Sequence, residues 1–435
     1  MATVGNIAKI PELRKRILYT FLMLGVARLG VYVPTPGVNT TALKEILNQG
    51  RFFEIFNLFS GGALANFSVF ALGIMPYISA SIIFQLLAVA LPAIERLKKD
   101  GEAGHKKITQ YTRYATVVLT FIQGFGISFT LAKQGVLLPG VGGLGFYFTT
   151  MLTLAAGTSL LMWLGEQITE RGIGNGISLI IFSGIITRLP ATFHAAWSTK
   201  DQYQGFFGFL LLLASIGGII ALIIFFERGQ RRIPVQYAKR VVGRKLYGGQ
   251  ESHLPLKINM AGVIPPIFAQ SLISFPAMLV QFSQAEFVKG ISAALNRGWV
   301  HDTLYASLII FFTYFYTAVS FNPDDVAENI RKFGGYIPGI RPGKNTAEFI
   351  DRILSRVTVG GALYISAICV LPPIITHAMG VPDQVAYTFG GTSLLIMVGV
   401  AMDTVSQMES HLLSHHYDGF LGQKSGAGRF RGRRG

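Results

Sequence analysis

Ten apolar stretches, at roughly 17–33, 69–92, 114–131, 149–165, 177–189, 206–226, 258–282, 303–321, 357–377 and 391–408, are joined by loops that alternate between rich and poor in Lys and Arg. Stretches of about 17–25 apolar residues are long enough to cross a bilayer as helices. The flanks 1–16, 93–113, 166–176, 227–257, 322–356 and 409–435 hold 30 of the 38 basic residues. The intervening loops 34–68, 132–148, 190–205, 283–302 and 378–390 hold 6, and Arg28 and Arg188 fall inside apolar stretches. Basic loops stay on the cytoplasmic face during insertion. The alternation therefore predicts an all-α polytopic membrane protein with ten transmembrane helices and both termini in the cytoplasm.

Composition agrees. Charged residues make up 14% of the 435 residues and hydrophobic ones 51%, against about 25% charged in a typical soluble domain. The net charge of +16 is thus gathered in loops, where it orients the chain and leaves large basic surfaces. Such surfaces suit anionic lipid, RNA or an acidic protein, although any single charge can serve orientation alone. Cys369 is the only cysteine, which excludes an internal disulfide and a Cys-based metal site. The first apolar run leads into Pro34, Pro36 and Gly37 without a small-residue cleavage site, so it is expected to be retained as a span.

Residues 3–16 have the pattern of a short helix lying on the membrane surface. The first outer loop, Pro34 to Phe67, carries Phe52, Phe53, Ile55, Phe56, Leu58 and Phe59, followed by Ser60, Gly61, Gly62, Ala63 and Leu64. Irregular backbone at membrane depth needs cover from protein or water, so 60–68 reads either as an element folded into the bundle or as an ordered outer loop. Five spans on each side of an outer hinge loop at 190–205 define halves 1–189 and 206–411, with a tail at 412–435. An odd span number per half inverts the second relative to the first, a plan common in proteins that move cargo across membranes; this rests on span counting. Loops 227–257 and 322–356 are long enough to project as docking surfaces. In the second, Pro338-Gly339-Ile340-Arg341-Pro342-Gly343 is a double Pro-Gly turn with Arg341 at its tip. The Gly/Arg-rich end, 426–435, reads as a solvated tail.

Enzyme signatures are missing. Gly343-Lys344 lacks the Ser/Thr and upstream Gly of a phosphate loop, and Gly172, Gly174 and Gly176 have the wrong spacing for a dinucleotide site. His411 and His415 lie one turn apart beside His416, but a closed metal site needs about four ligands and a helix end at the surface explains them equally well. No catalytic residue, cofactor or metal is assigned. Asn39-Thr40-Thr41 and Asn66-Phe67-Ser68 match the short glycosylation pattern. Within the spans the main charges are Arg28 and Asp403. A proton-coupled pump should carry several, so their scarcity points to a passive conduit or a scaffold. The neutral polar groups Ser79, Ser81, Gln85 and Asn259 either glue helices together or line an interface that opens.

The motifs Phe59-Ser60-Gly61-Gly62-Ala63-Leu64, Phe70-Ala71-Leu72-Gly73-Ile74-Met75-Pro76-Tyr77-Ile78-Ser79, Gly165 to Gly176 (GEQITERGIGNG), Asn259-Met260-Ala261-Gly262-Val263-Ile264-Pro265 and the 338–343 turn closely resemble the SecY family of bacterial protein-translocation channels, over nearly the full length. The resemblance implies two inverted five-helix halves closing like a clamshell around an hourglass pore. It implies a constriction ring of Ile74, Ile78, Ile181, Ile267 and Ile396, with Ser60, Gly61, Gly62, Ala63 and Leu64 in the plug that blocks the idle channel. It further implies a lateral gate between the second–third and seventh–eighth spans, carrying Ser79, Gln85 and Asn259. Arg240, Arg244, Lys245 and Arg341 would dock cytosolic partners: a SecA-like ATPase or the ribosome. SecE-like and SecG-like small membrane subunits, client signal sequences and anionic lipids complete the implied partners, in the bacterial plasma membrane. A secondary transporter, which would need a compact midplane solute site, and a lipid-bound scaffold without conductance are the alternative classes.

Overall fold

A computed structural model of the chain describes residues 11–47, 57, 59–140, 142–202, 205–237, 240–242, 245–247, 251–282, 290 and 298–424. The chain is predominantly helical: α1 (Pro11–Gly30), α2 (Thr40–Leu47), α3 (Met75–Ala90), α4 (Pro92–Lys99), α5 (Gly101–Lys133), α6 (Leu144–Arg171), α7 (Gly176–Ser198), α8 (Gly205–Arg228), α9 (Ile264–Phe282), α10 (Gly298–Ser320), α11 (Pro323–Lys332), α12 (Lys344–Ala378), α13 (Asp383–Thr388) and α14 (Gly391–Lys424). Among the described residues six helical segments are long and apolar enough to cross a membrane: α5, α6, α7, α8, α10 continuing into α11, and α12. A seventh counts if α3 and α4, which meet at 105°, form one broken span. The sharp bend follows from local chemistry. Leu91 is extended and Pro92 opens α4, where its missing N–H is harmless and its ring prevents α3 from continuing. The stretches near 17–33, 258–282 and 391–408 are helical too, within α1, α9 and α14.

The all-α expectation needs correction. Loop 227–257 contains β1 (Gln230–Tyr237), β2 (Arg240–Val242), β3 (Lys245–Tyr247) and β4 (Glu251–Lys257), and loop 322–356 supplies β5 (Gly335–Tyr336). β1 pairs antiparallel with β4 from Gln230↔Lys257 to Gln236↔Glu251 and with β5 through Gln236↔Tyr336, giving the order β4-β1-β5. β2 and β3 form their own hairpin. Buried Ile233 and Val235 alternate with exposed Arg232 and Pro234, the period-two pattern of a half-buried strand. Together with Leu256, Ile337 and Ile350 they close a separate apolar core beneath the two basic loops.

The helices pack in two groups. In the first, α1 lies on α6 and α7, α3 on α5, α5 on α6 and α6 on α7; in the second, α8 meets α12 and α14, α9 meets α10, α10 meets α12, and α12 meets α14. Two seams connect them: α7 against α13 and α14, and α3 with α5 against α9. The expected hinge loop 190–205 is mostly helix. α7 runs through Pro190 to Ser198, and a short 3-10 turn, Lys200–Gln202, leads towards α8. The capping Asn175, whose side chain accepts from Ile177 N and Ser178 N, starts this helix at the Gly-rich turn.

Candidate functional site

Between α1 and α3 the chain folds into a compact set of turns, residues 59–73, set against α1, α6 and α7. Its backbone groups are satisfied locally. Gly62 N donates to Asn57 O at 2.9 Å, Phe67 N to Leu64 O at 2.9 Å, Ser68 N to Ala63 O at 2.9 Å and Gly73 N to Phe70 O at 2.8 Å. The Asn57 side chain accepts from Ala65 N at 3.0 Å. Two further bonds tie the segment to the turn that follows α1: Thr35 N to Phe67 O at 2.8 Å and Val69 N to Val33 O at 3.0 Å. Such pairing is what allows non-helical backbone inside an apolar bundle. Of the two expectations for 60–68, the folded-in element is the one observed: Ala63, Leu64, Phe67 and Ser68 are all at most 2% exposed.

Close approach sets the glycines around this segment. A Cβ at Gly157 of α6 would lie 2.0 Å from the Val69 carbonyl oxygen, and one at Gly30 of α1 would lie 2.0 Å from the Phe70 ring. Gly61 and Gly62 have φ of +65° and +93°, a region that side-chain-bearing residues avoid. The guanidinium of Arg28 donates from Nη1 to Gly61 O at 3.1 Å.

A cavity of about 20 Å³, room for roughly one water, is lined by Arg28, Phe59, Ser60, Gly73, Ile74 and Ile181 among others. Ile74 and Ile181 therefore line the same small space as Ser60. Ile74 caps the start of α3 and Ile78 lies one turn on; Ile181 is on α7, Ile267 on α9 and Ile396 on α14. All five are buried, between 1% and 7% exposed, and all belong to one continuous apolar cluster that also takes in Phe59, Leu64 and Phe67.

The polar candidates are more dispersed. Gln85 Nε2 donates to Ser81 Oγ within α3 at 3.1 Å, and Ser79 is half-buried on the same helix. Asn259 precedes α9 and is buried; its Nδ2 donates to Glu227 Oε1 at the end of α8, 2.6 Å away, and to Gly262 O at 3.2 Å, while its Oδ1 has no partner among the described residues. Its bonds thus hold α9 to α8. Arg341 is exposed on the 338–343 turn, where its carbonyl accepts from Thr346 Oγ1 at 3.0 Å. Arg240 lies in β2 and Lys245 in β3, whereas Arg244, Phe52 to Phe56, Leu58, residues 3–10 and the 426–435 tail lie outside the described residues. Among the described residues no group of His, Cys, Asp and Glu is placed to hold a metal.

The sequence reading missed two features. The strand pairing of β1 with β5 joins loops almost a hundred residues apart, and only the alternation around Ile233 hinted at it. The bond from Arg28 to Gly61 was signalled by a lone charge in an apolar stretch.

Comparison with known proteins gives a consistent result. The SecY family profile matches residues 68–405. The protein translocase subunit SecY of Pseudomonas aeruginosa is 48% identical over 425 residues, covering 95% of this chain and 94% of that protein. Its counterpart in Escherichia coli K12 is 48% identical over 426 residues, covering 94% of each chain. Among solved structures, a protein conducting channel matches with a TM-score of 0.66 at 16% identity, covering 95% of this chain and 98% of the other. Sec61 from the canine ribosome-channel complex of the endoplasmic reticulum matches with a TM-score of 0.63 at 15% identity, covering 95% and 98%. At those identities the structures speak for the fold. The profile and the full-length relatives speak for descent, and with them the multi-span helical chain belongs to the SecY family, whose members are channel subunits of protein translocation and not enzymes.

Proposed function

We propose that this chain passes unfolded secretory proteins across the bacterial plasma membrane through a ring of Ile74, Ile78, Ile181, Ile267 and Ile396, and releases membrane segments sideways into lipid. The observation that carries the reading is that five bulky apolar side chains from four different helices are buried in one cluster, with the folded-in 60–68 segment beside two of them. Uncharged, deformable side chains can close around an extended chain while offering ions no solvation, and narrow apolar constrictions gate by dewetting. The plug is 60–68 in this reading. The lateral gate is the seam of α3 and α5 against α9 and α10, with Ser79 and Gln85 on its α3 side and Asn259 on its α9 side.

Ten spans with both termini cytoplasmic follow from the apolar stretches and the charge alternation of the loops, and two inverted halves follow from five spans in each. The chain has no energy source of its own, so a SecA-like ATPase or the ribosome supplies the drive. The basic strands and turns of 227–257 and 322–356, with Arg240, Arg244, Lys245 and Arg341, are the docking surface. The likeness to channels solved on ribosomes, canine Sec61 and yeast Ssh1, supports ribosome docking there. SecE-like and SecG-like subunits and anionic lipids complete the assembly. The test is protease protection of a signal-bearing precursor in proteoliposomes holding this chain and its small subunits, with the ATPase and ATP outside. ATP-dependent protection that disappears when the signal is deleted is the expected result. Absence of protection in a folded, correctly oriented complex would overturn motor-driven passage.

A further inference from the structure

Arg28 stands out because it is a charge within the apolar run of α1, next to buried Ala27 and one turn before buried Val31. A charged group at that depth persists only with polar partners. Its partner is a backbone carbonyl: Nη1 donates to Gly61 O at 3.1 Å. We infer that Arg28 is the positioning residue that holds the 60–73 segment in its seat, with its guanidinium on the Gly61 carbonyl and Gly184 of α7 as the floor on which Gly61 rests. This rests on the reading of 60–68 as the plug.

The geometry is specific to these three positions. Gly61 adopts φ +65°, and a Cβ there would fall 2.6 Å from Nη1 and Nη2 of Arg28 and 2.7 Å from Cα of Gly184. From the other side, a Cβ on Gly184 would fall 3.1 Å from Nη2 of Arg28 and 3.3 Å from Cα of Gly61. Arg28, Gly61 and Gly184 thus pack as a guanidinium and two bare backbones, with space for no side chain among them. One turn along α7, Nε of Arg188 lies 3.7 Å from where a Cβ on Gly62 would be, so a second guanidinium borders the same turn. The bond suits a seat that must release. It is a directional, charge-assisted contact to a carbonyl, and Arg28 also lines the small cavity beside Ser60, where water can replace the carbonyl when the segment leaves.

The test uses the full chain, purified with its small membrane subunits and placed in proteoliposomes, with ion efflux as the readout. Six forms are compared: wild type, the 60–68 deletion, Arg28→Gln, Arg28→Lys, Gly184→Ala, and Arg28→Gln in the deletion background. The deletion should leak. Arg28→Gln should raise the resting leak about tenfold towards the deletion, since a charge-assisted bond is replaced by a weaker neutral one at shorter reach. Arg28→Lys should recover part of the seal. Gly184→Ala, which acts from a different helix, should leak several-fold more than wild type by displacing Gly61, and it keeps the test open if Arg28→Gln does not fold. In the deletion background Arg28→Gln should add nothing. A leaky deletion with tight Arg28→Gln and Gly184→Ala proteins would overturn the role of Arg28, as would an added leak in the deletion background. A tight deletion would instead remove the plug reading on which the inference rests.

Discussion

The two seams between the helix groups are built differently. Along α7 the contacts are stitched from end to end. Gly174 N, in the turn before α7, donates to Gln407 Oε1 of α14 at 3.0 Å. Ile173 packs with Leu13 of α1 and Leu412 of α14 in a small separate core. Further along, Thr192 and Thr388 bring their hydroxyl oxygens within 3.4 Å, and the rings of Phe193 and Phe389 meet edge to face at 5.1 Å. The seam of α3 and α5 with α9 has a different character. Its apolar side chains belong to the common cluster, but Gln85 turns back to Ser81 within its own helix and Asn259 holds to α8. A tie across the groups comes from beyond the bend: Lys98 Nζ of α4 donates to Val319 O, in the last turn of α10, at 3.0 Å. An ammonium at a helix C-terminus is favoured by the helix dipole. Between helices in lipid there is no hydrophobic drive, so polar stitches and close packing decide which interface holds. In the proposed reading the α7 seam serves as the hinge and the α3–α9 seam as the gate.

Tethering gives the largest test of that difference. A Thr192→Cys/Thr388→Cys disulfide should leave precursor export within about twofold of wild type, because a hinge side moves little during closure and opening. A short bismaleimide bridge between Lys98→Cys and Val319→Cys should cut export more than about tenfold if that side must part. Equal effects of the two tethers would erase the contrast. Next in size, Phe389→Ala should lower stability by about 3 kcal/mol, the usual loss for a buried aromatic, seen as a fall in thermal unfolding temperature in detergent. Gln407→Leu leaves the Gly174 N–H without its acceptor and should cost about 1–3 kcal/mol by the same assay. The smallest change is expected for Lys98→Met: about 1 kcal/mol of stability, as for a single half-buried hydrogen bond. Its informative readout is export of a precursor with a weakened signal, which should rise. A fall in that export would place the Lys98 contact in the open state.

Much of the architecture was readable before the fold. Hydropathy marks the apolar stretches within which the long helices lie, because a bilayer-spanning segment must satisfy its own backbone and so carries its signal locally. The Asn175 cap and the Pro92 break are also local. The strands were harder to see, since Ile233 and Val235 are buried only because Leu256, Ile337 and Ile350 arrive from elsewhere in the chain. Asn259 shows the limit for the site. Its place at the opening of an apolar segment was readable, but its partner Glu227 lies 32 residues away on another helix.

Sequence alone determined the membrane class and the order of apolar segments and basic loops along the chain, for these depend on the composition of contiguous stretches meeting lipid and water. Tertiary structure decided which carbonyl Arg28 grips, which glycines permit backbone to touch backbone, how β1 joins two distant loops, and which seam is stitched. Each of these is a contact between segments remote in the chain, and its existence depends on how the helices pack rather than on what any one of them contains.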